Sequence, residues 1–207
     1  TSASNLYNSN YYVMNKDFRV YLCISNGASP SNSGKGIISL DEPIHTDLEP
    51  RLESDGYVWK YLYTIKPSDI VKFDSADFIP LPSDWSTNTD VADVRNNAVD
   101  GKIEVIIIDD VTNASYQFTG TKNNVPIKGD GSGGLASVTF TNGKPTAVQV
   151  TNGGSGYSFA TLDLDSVVTG SGASFSVIIP PPGGHGADIY RELGSNKVLV
   201  YSRIENN

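Results

Sequence analysis

The 207-residue sequence predicts an all-β protein, mainly strand with one or two short helices, and three observations carry that expectation. Two segments, 18–24 (FRVYLCI) and 57–65 (YVWKYLYTI), alternate at period two, the repeat of a half-buried strand. Twenty Gly and eleven Pro interrupt helices and supply turns. Eleven Tyr, with many Val and Ile, suit the pleated surface of a sheet.

The elements follow in chain order. Residues 1–10 are polar and no initiating Met precedes them, so the sequence is expected to be a fragment of a longer protein. In 18–24, Phe18, Val20, Leu22 and Ile24 point one way, and Arg19, Tyr21 and Cys23 the other. Residues 25–36, rich in Ser, Asn, Gly and Pro, predict an exposed loop. A second loop, 41–55, carries two Pro and a run of acidic residues. In 57–65, Tyr57, Trp59, Tyr61, Tyr63 and Ile65 share one face, opposite Val58, Lys60, Leu62 and Thr64. Lys66-Pro67 ends this strand, and 68–73 has the start of a short helical turn. Residues 78–82 are extended, because each Pro pushes its predecessor toward β or polyproline geometry. The one clear helix is 90–99: Val91, Val94 and Ala98 recur at helical spacing, Thr87 or Thr89 can cap it, and Gly101 lies past its end.

Beyond Gly101 the texture changes. Residues 103–108 predict a strand, and Asn142-Gly143 marks a hairpin between 138–141 and 147–150. An internal repeat runs through this stretch. Gly131-Ser-Gly-Gly-Leu-Ala-Ser-Val138 reads against Gly170-Ser-Gly-Ala-Ser-Phe-Ser-Val177, with Tyr116-Gln-Phe118 and Tyr157-Ser-Phe159 upstream of the two copies. Two β units, each too small to bury its own face, are expected to pack together. The Pro180-Pro-Pro-Gly-Gly184 run is a stiff exit. Residues 197–204 (KVLVYSRI) predict a closing strand that returns to the first sheet. The expected organisation is a β-sandwich-like core, 1–100 plus 185–207, interrupted by a Gly-rich inserted β domain at 101–184.

Composition narrows the function classes. A formal net charge of −8, with no cluster of Lys and Arg, argues against a phosphate backbone, so no nucleic acid is expected as partner. No apolar run approaches the roughly 20 residues that span a bilayer, so no membrane partner is expected. The single cysteine, Cys23, excludes an internal disulfide and a Cys-based zinc site, and reads as a buried, inert thiol. Lys35 between glycines suggests a phosphate loop, but Gly36 stands where that motif needs Ser or Thr. Asp130, between Gly129 and Gly131, is one carboxylate where calcium wants several. Asp163 and Asp165 share a strand face and read as solvated acids rather than a pair set across a cleft.

His45 and His185 are the only histidines. His185, in a Gly-rich turn with Asp188 nearby, lacks both a placed nucleophile and a third metal ligand, so it reads as held by local backbone or by Asp188. The sequon Asn113-Ala-Ser115 is short enough to match by chance. No catalytic residue, metal, cofactor or small-molecule substrate is expected. The aromatic row is different: Trp59 reads as core, while Tyr57, Tyr61 and Tyr63 are a possible interface or a sugar-stacking platform.

Asp55-Gly-Tyr-Val-Trp-Lys-Tyr-Leu-Tyr-Thr-Ile65, then Lys66-Pro67-Ser68 and Asp77-Phe-Ile-Pro-Leu-Pro82, resembles the baseplate wedge protein (gene product eight type) of contractile-tailed phages. Phe18-Arg-Val-Tyr-Leu-Cys-Ile24 looks like the same family's preceding strand. Gly184-His-Gly-Ala-Asp188 with Glu192-Leu-Gly194, and then 198–204, looks like its cyanophage branch. The resemblance covers most of 11–100 and 183–207, while the Gly-rich middle departs from the enterobacterial members. It implies a non-enzymatic structural protein of the virion, a homodimer in each wedge of the tail baseplate that contacts other wedge subunits. It supplies no catalytic residues. The rival expectation is a carbohydrate-binding or receptor-recognition module of a phage tail, with a polysaccharide-degrading enzyme behind it.

Overall fold

The structure, a computed structural model, describes residues 11–204, so the polar stretch 1–10 and the last three residues of the expected core lie outside the described residues. Among the described residues the fold is mainly β, with antiparallel sheets and three short α-helices.

The first sheet is built from β1 (Tyr12–Met14), β2 (Arg19–Asn26), β3 (Arg51–Leu52) and β4 (Tyr57–Thr64) in the order β1-β2-β4-β3. Both long strands are the period-two segments of the sequence. Val20 and Leu22 go into the core as expected, with Phe18 and Ile24 packed against it. The opposite side of β2 is also covered, because Tyr21 is fully buried.

In β4 the expected five-residue aromatic face is divided. Val20 pairs with Tyr63 and the next residue, Tyr21, with Tyr61, so Leu62 is the extra residue of a β-bulge. The bulge sends Leu62 and Tyr63 into the same core, where both are fully buried, and Ile65 follows them. That core is closed by Trp85, by Val91 and Val94, and by Ile189 and Leu193. Helix α1 (Pro67–Phe73) forms where Pro67 fixes its first turn.

The helix expected over 90–99 begins as a 3-10 turn, Thr89–Val91, and continues as α2 (Ala92–Asn97). Its cap is neither Thr87 nor Thr89. The Asn88 side chain accepts the Asp90 amide at 2.9 Å, doing from one residue between them what either threonine was expected to do.

The Gly-rich middle contributes β5 (Ile106–Asp110), β6 (Ser115–Tyr116), β7 (Gly120–Gly129), β8 (Ser132–Thr141), β9 (Lys144–Ser155), β10 (Ala160–Leu162), β11 (Gly170–Ser171) and β12 (Ser174–Val177). Its main sheet runs β10-β7-β8-β9, flanked by the pairs β11-β6 and β12-β5. The hairpin turns at Asn142 (φ 50°) and Gly143 (φ 76°), the left-handed pair that a two-residue loop requires.

The two repeats lock reciprocally. A Cβ on Gly131 would lie 2.5 Å from the Tyr157 ring, and one on Gly170 would lie 2.8 Å from the Tyr116 ring. Each copy's glycine therefore seats the other copy's tyrosine. The copies are not otherwise alike: 131–138 lies in β8, paired on both sides, whereas 170–177 breaks into β11 and β12.

The closing segment departs from expectation. Residues 197–204 form no strand, and Val198 is 88% exposed. The edges of the first sheet, β1 and β3, are three and two residues long and offer little ladder to join. Side chains hold the segment instead, with Lys197 Nζ over the Phe78 ring at 4.6 Å and Lys72 Nζ over the Tyr201 ring at 5.7 Å. A helix not foreseen, α3 (Ile189–Glu192), precedes it, capped by Asp188, whose side chain accepts from the amides of Tyr190 and Arg191.

Candidate functional site

The tyrosines that sequence singled out act as posts. Tyr63 is 1% exposed and its hydroxyl donates to Pro80 O at 3.1 Å, so its side chain offers no surface to a partner. Burial pushes its phenol well above the usual range. Tyr61 is half-buried, within hydrogen-bond reach of Thr64 Oγ1 at 2.9 Å. Tyr57 stacks on buried Trp59 (ring centroids 5.4 Å apart, planes at 15°) and its hydroxyl donates to Ile37 O at 2.6 Å.

That last bond belongs to a set. Residues 37–48 have no regular secondary structure, yet the first sheet and its turn reach out to one carbonyl after another. Asn15 Nδ2 donates to Pro43 O at 2.9 Å, Arg19 Nη1 to Ile44 O, and the Tyr21 hydroxyl to His45 O at 2.7 Å. Lys60 Nζ and Asn97 Nδ2 both donate to Leu48 O at 3.1 Å. From the other end, Asp55 Oδ2 accepts from Ser39 Oγ and from the amides of Leu40 and Asp41, while its Oδ1 accepts the Tyr57 amide. Desolvation raises the Asp55 pKa, but these four bonds outweigh it and hold the carboxyl at about 2.

A loop pinned through its backbone must turn its side chains elsewhere. Pro43 and His45 point down and are buried. Ile38 and Leu40 are each 83% exposed, and Ile44, between two buried neighbours, is 60% exposed. Beside them a cavity of about 400 Å³ is lined by Val13, Met14, Lys16, Pro43, Tyr57 and Trp59. Sequence reading placed the candidate interface on the tyrosines and did not single out these exposed aliphatic residues. The available signal was Ile37-Ile38-Ser39-Leu40, an apolar run in an otherwise polar, Pro-bounded loop.

Below the loop lies a buried charge cluster. Lys60 Nζ sits 3.0 Å from Glu104 Oε1, Glu104 Oε2 lies 4.0 Å from His185 Nε2, and His185 Nδ1 is bonded to Glu192. Glu192 Oε2 also accepts the Gly186 amide at 2.8 Å. His185 is thus held by Glu192 and not by Asp188, which is occupied as the cap of α3. The pattern of β4 placed Lys60 opposite the aromatic row but did not mark it as buried.

The other chemistry-bearing residues stay apart. Burial pushes the Cys23 thiol up to about 11, which leaves little thiolate at neutral pH. Asp130 accepts from Ser158 N, Ser158 Oγ and Phe159 N, tying one repeat to the other. Asp163 pairs with Lys128 at 2.5 Å. Lys35 lies beyond a single 3-10 turn, Pro30–Asn32, and opens no helix. Among the described residues no group of three or more His, Cys, Asp or Glu is placed to hold a metal ion, and no helix is long and apolar enough to cross a membrane.

No known protein family, no curated protein and no solved structure matches the chain.

Proposed function

We propose that the chain is a structural subunit of a phage tail baseplate wedge, holding wedge geometry through contacts with neighbouring baseplate proteins in the virion. The pinned loop carries this reading. The stretch that resembles the wedge family, 55–82, supplies the central strand, the Tyr63–Pro80 tie and the two residues, Asp55 and Tyr57, that fix the loop from below. What those residues hold out to solvent is an aliphatic surface, suited to burial against another subunit. The chain is read as non-enzymatic, and as a homodimer within each wedge by the resemblance alone.

The test is co-expression with the products of the genes that flank this one. A stable complex with at least one tail subunit is expected, and size measurement of the chain alone checks the dimer. Micromolar binding to glycans on an array, with no complex to any tail subunit, would replace this reading with the carbohydrate-binding alternative.

A further inference from the structure

Resting on the subunit reading, we infer that the 37–48 loop and the cavity beside it form a preorganised docking site for a different protein subunit, one that presents an apolar recess ringed by Lys and Arg.

Rigidity is the first argument. An irregular loop normally loses conformational entropy when it binds, and that cost weakens association. Here the cost is met on folding, because side chains of the first sheet, of its β1–β2 turn and of α2 hold the carbonyls at 37, 43, 44, 45 and 48. Asp55 holds the amides at 40 and 41. Such bonds stabilise the fold, and they also leave the loop's outer face in a single geometry. A surface that must meet a partner in one geometry gains from that.

Shape is the second. Ile38, Leu40 and Ile44 project as knobs, while Val13, Met14 and Tyr57 line a socket of about 400 Å³ beside them. Knobs next to a socket suit interlocking with a second rigid surface.

Charge selects the partner. Between Asp41 and Asp55 the chain carries six carboxylates. The cations at these carboxylates or on this loop are Lys16, Arg19, Arg51, Lys60 and Lys102, but Arg19 is shared with Asp17 and Lys60 with Glu104, so negative charge stays in surplus around the apolar knobs. A second copy would bring the same acidic rim and the same overall charge of −8 against it, and like charges oppose that contact. A partner with a basic rim gains instead, both in approach rate and in discrimination.

The test uses the full chain and the flanking-gene subunit that binds it. Leu40→Asp and Ile44→Asp are each expected to weaken that complex by roughly tenfold or more. Val71→Asp, on an equally exposed residue of α1, should leave it unchanged. Added salt should slow association of the wild-type pair. Thermal melts of the three variants check folding, which solvent-facing substitutions should leave intact. Wild-type affinity in both loop variants would overturn the docking site while leaving the subunit reading in place. Absence of any complex with wild-type protein would remove both. Self-association of the wild type that Leu40→Asp abolishes would hand the site to a second copy and overturn the inference.

Discussion

Two residues at the loop make the response to acid testable. Asp55 has a folded-state pKa of about 2, against roughly 3.9 for an unfolded aspartate. The folded form therefore takes up this proton later than the unfolded form. The stability it contributes is full above about pH 4 and is lost as the pH falls toward 2. Asp55→Asn puts an amide where the Leu40 and Asp41 amides need an acceptor, and should cost about 1–3 kcal/mol at neutral pH. Urea unfolding at pH 7 and again near pH 2.5 checks it, because the gap between wild type and variant should shrink in acid. His45 acts in a higher window. Its ring is buried against Tyr21, and the nearest carboxylate oxygen, on Asp47, is 3.9 Å away. Burial lowers its pKa below the unfolded value of about 6.5. Stability is then complete above about pH 6.5 and is lost as the pH falls through the folded value. His45→Phe should flatten that limb, with denaturant midpoints at pH 7.5 and 5.5 as the measurement.

Among the elements, the repeats give the sharpest expectation. Gly131→Ala would set a methyl 2.5 Å from both Ser155 O and the Tyr157 ring, in a place where backbone cannot yield. Gly170→Ala would do the same against Ser115 O and Tyr116. Each should cost about 1–3 kcal/mol or more through overpacking, seen as a melting temperature lower by several degrees. The repeat and its Tyr-x-Phe were legible in the sequence, but the contact between them was not, since the glycine follows the tyrosine by 15 residues in one copy and 13 in the other. The division of β4 was not legible. A bulge adds one residue to one strand without disturbing the written alternation, so Tyr57, Trp59, Tyr61 and Tyr63 still read as a single face. Only pairing with β2 reveals that Leu62 is the extra residue and that Tyr63 turns inward with it. The docking loop was hidden for a related reason. Its order comes from bonds between residues 12 to 49 positions apart, such as Lys60–Leu48, Tyr57–Ile37, Asn15–Pro43 and Asn97–Leu48, and local composition carries no trace of them. Residues 197–204 erred in the other direction: their strand propensity is plain, but propensity needs a ladder partner, and no described strand pairs with them.

At the scale of the whole molecule, the buried cluster under the loop joins three parts of the chain. Lys60 comes from the central strand of the first sheet, Glu104 from the entry to the Gly-rich sheet, and His185 and Glu192 from the return segment. Lys60 is 1% exposed and donates to both Glu104 and Leu48 O, so the same ammonium also supports the far end of the docking loop. Removing it leaves Glu104 buried without its cation. Lys60→Met should therefore cost about 3–5 kcal/mol, the usual penalty for breaking a buried pair from one side. Replacing both partners is a different matter, since desolvating two charges offsets much of their attraction. The double variant Lys60→Met with Glu104→Leu should regain most of the loss, although Leu48 O stays without that donor. Equilibrium unfolding of the two single variants and the double completes the cycle, and the coupling between them isolates the pair from the loop contact. If the cluster also makes the two halves unfold together, Lys60→Met should separate one calorimetric transition into two, the first from the sheet that loses its partner. A single unchanged transition in that variant would assign the joint to the bonds that Gly156 N and Gly183 N make to Asp100 instead.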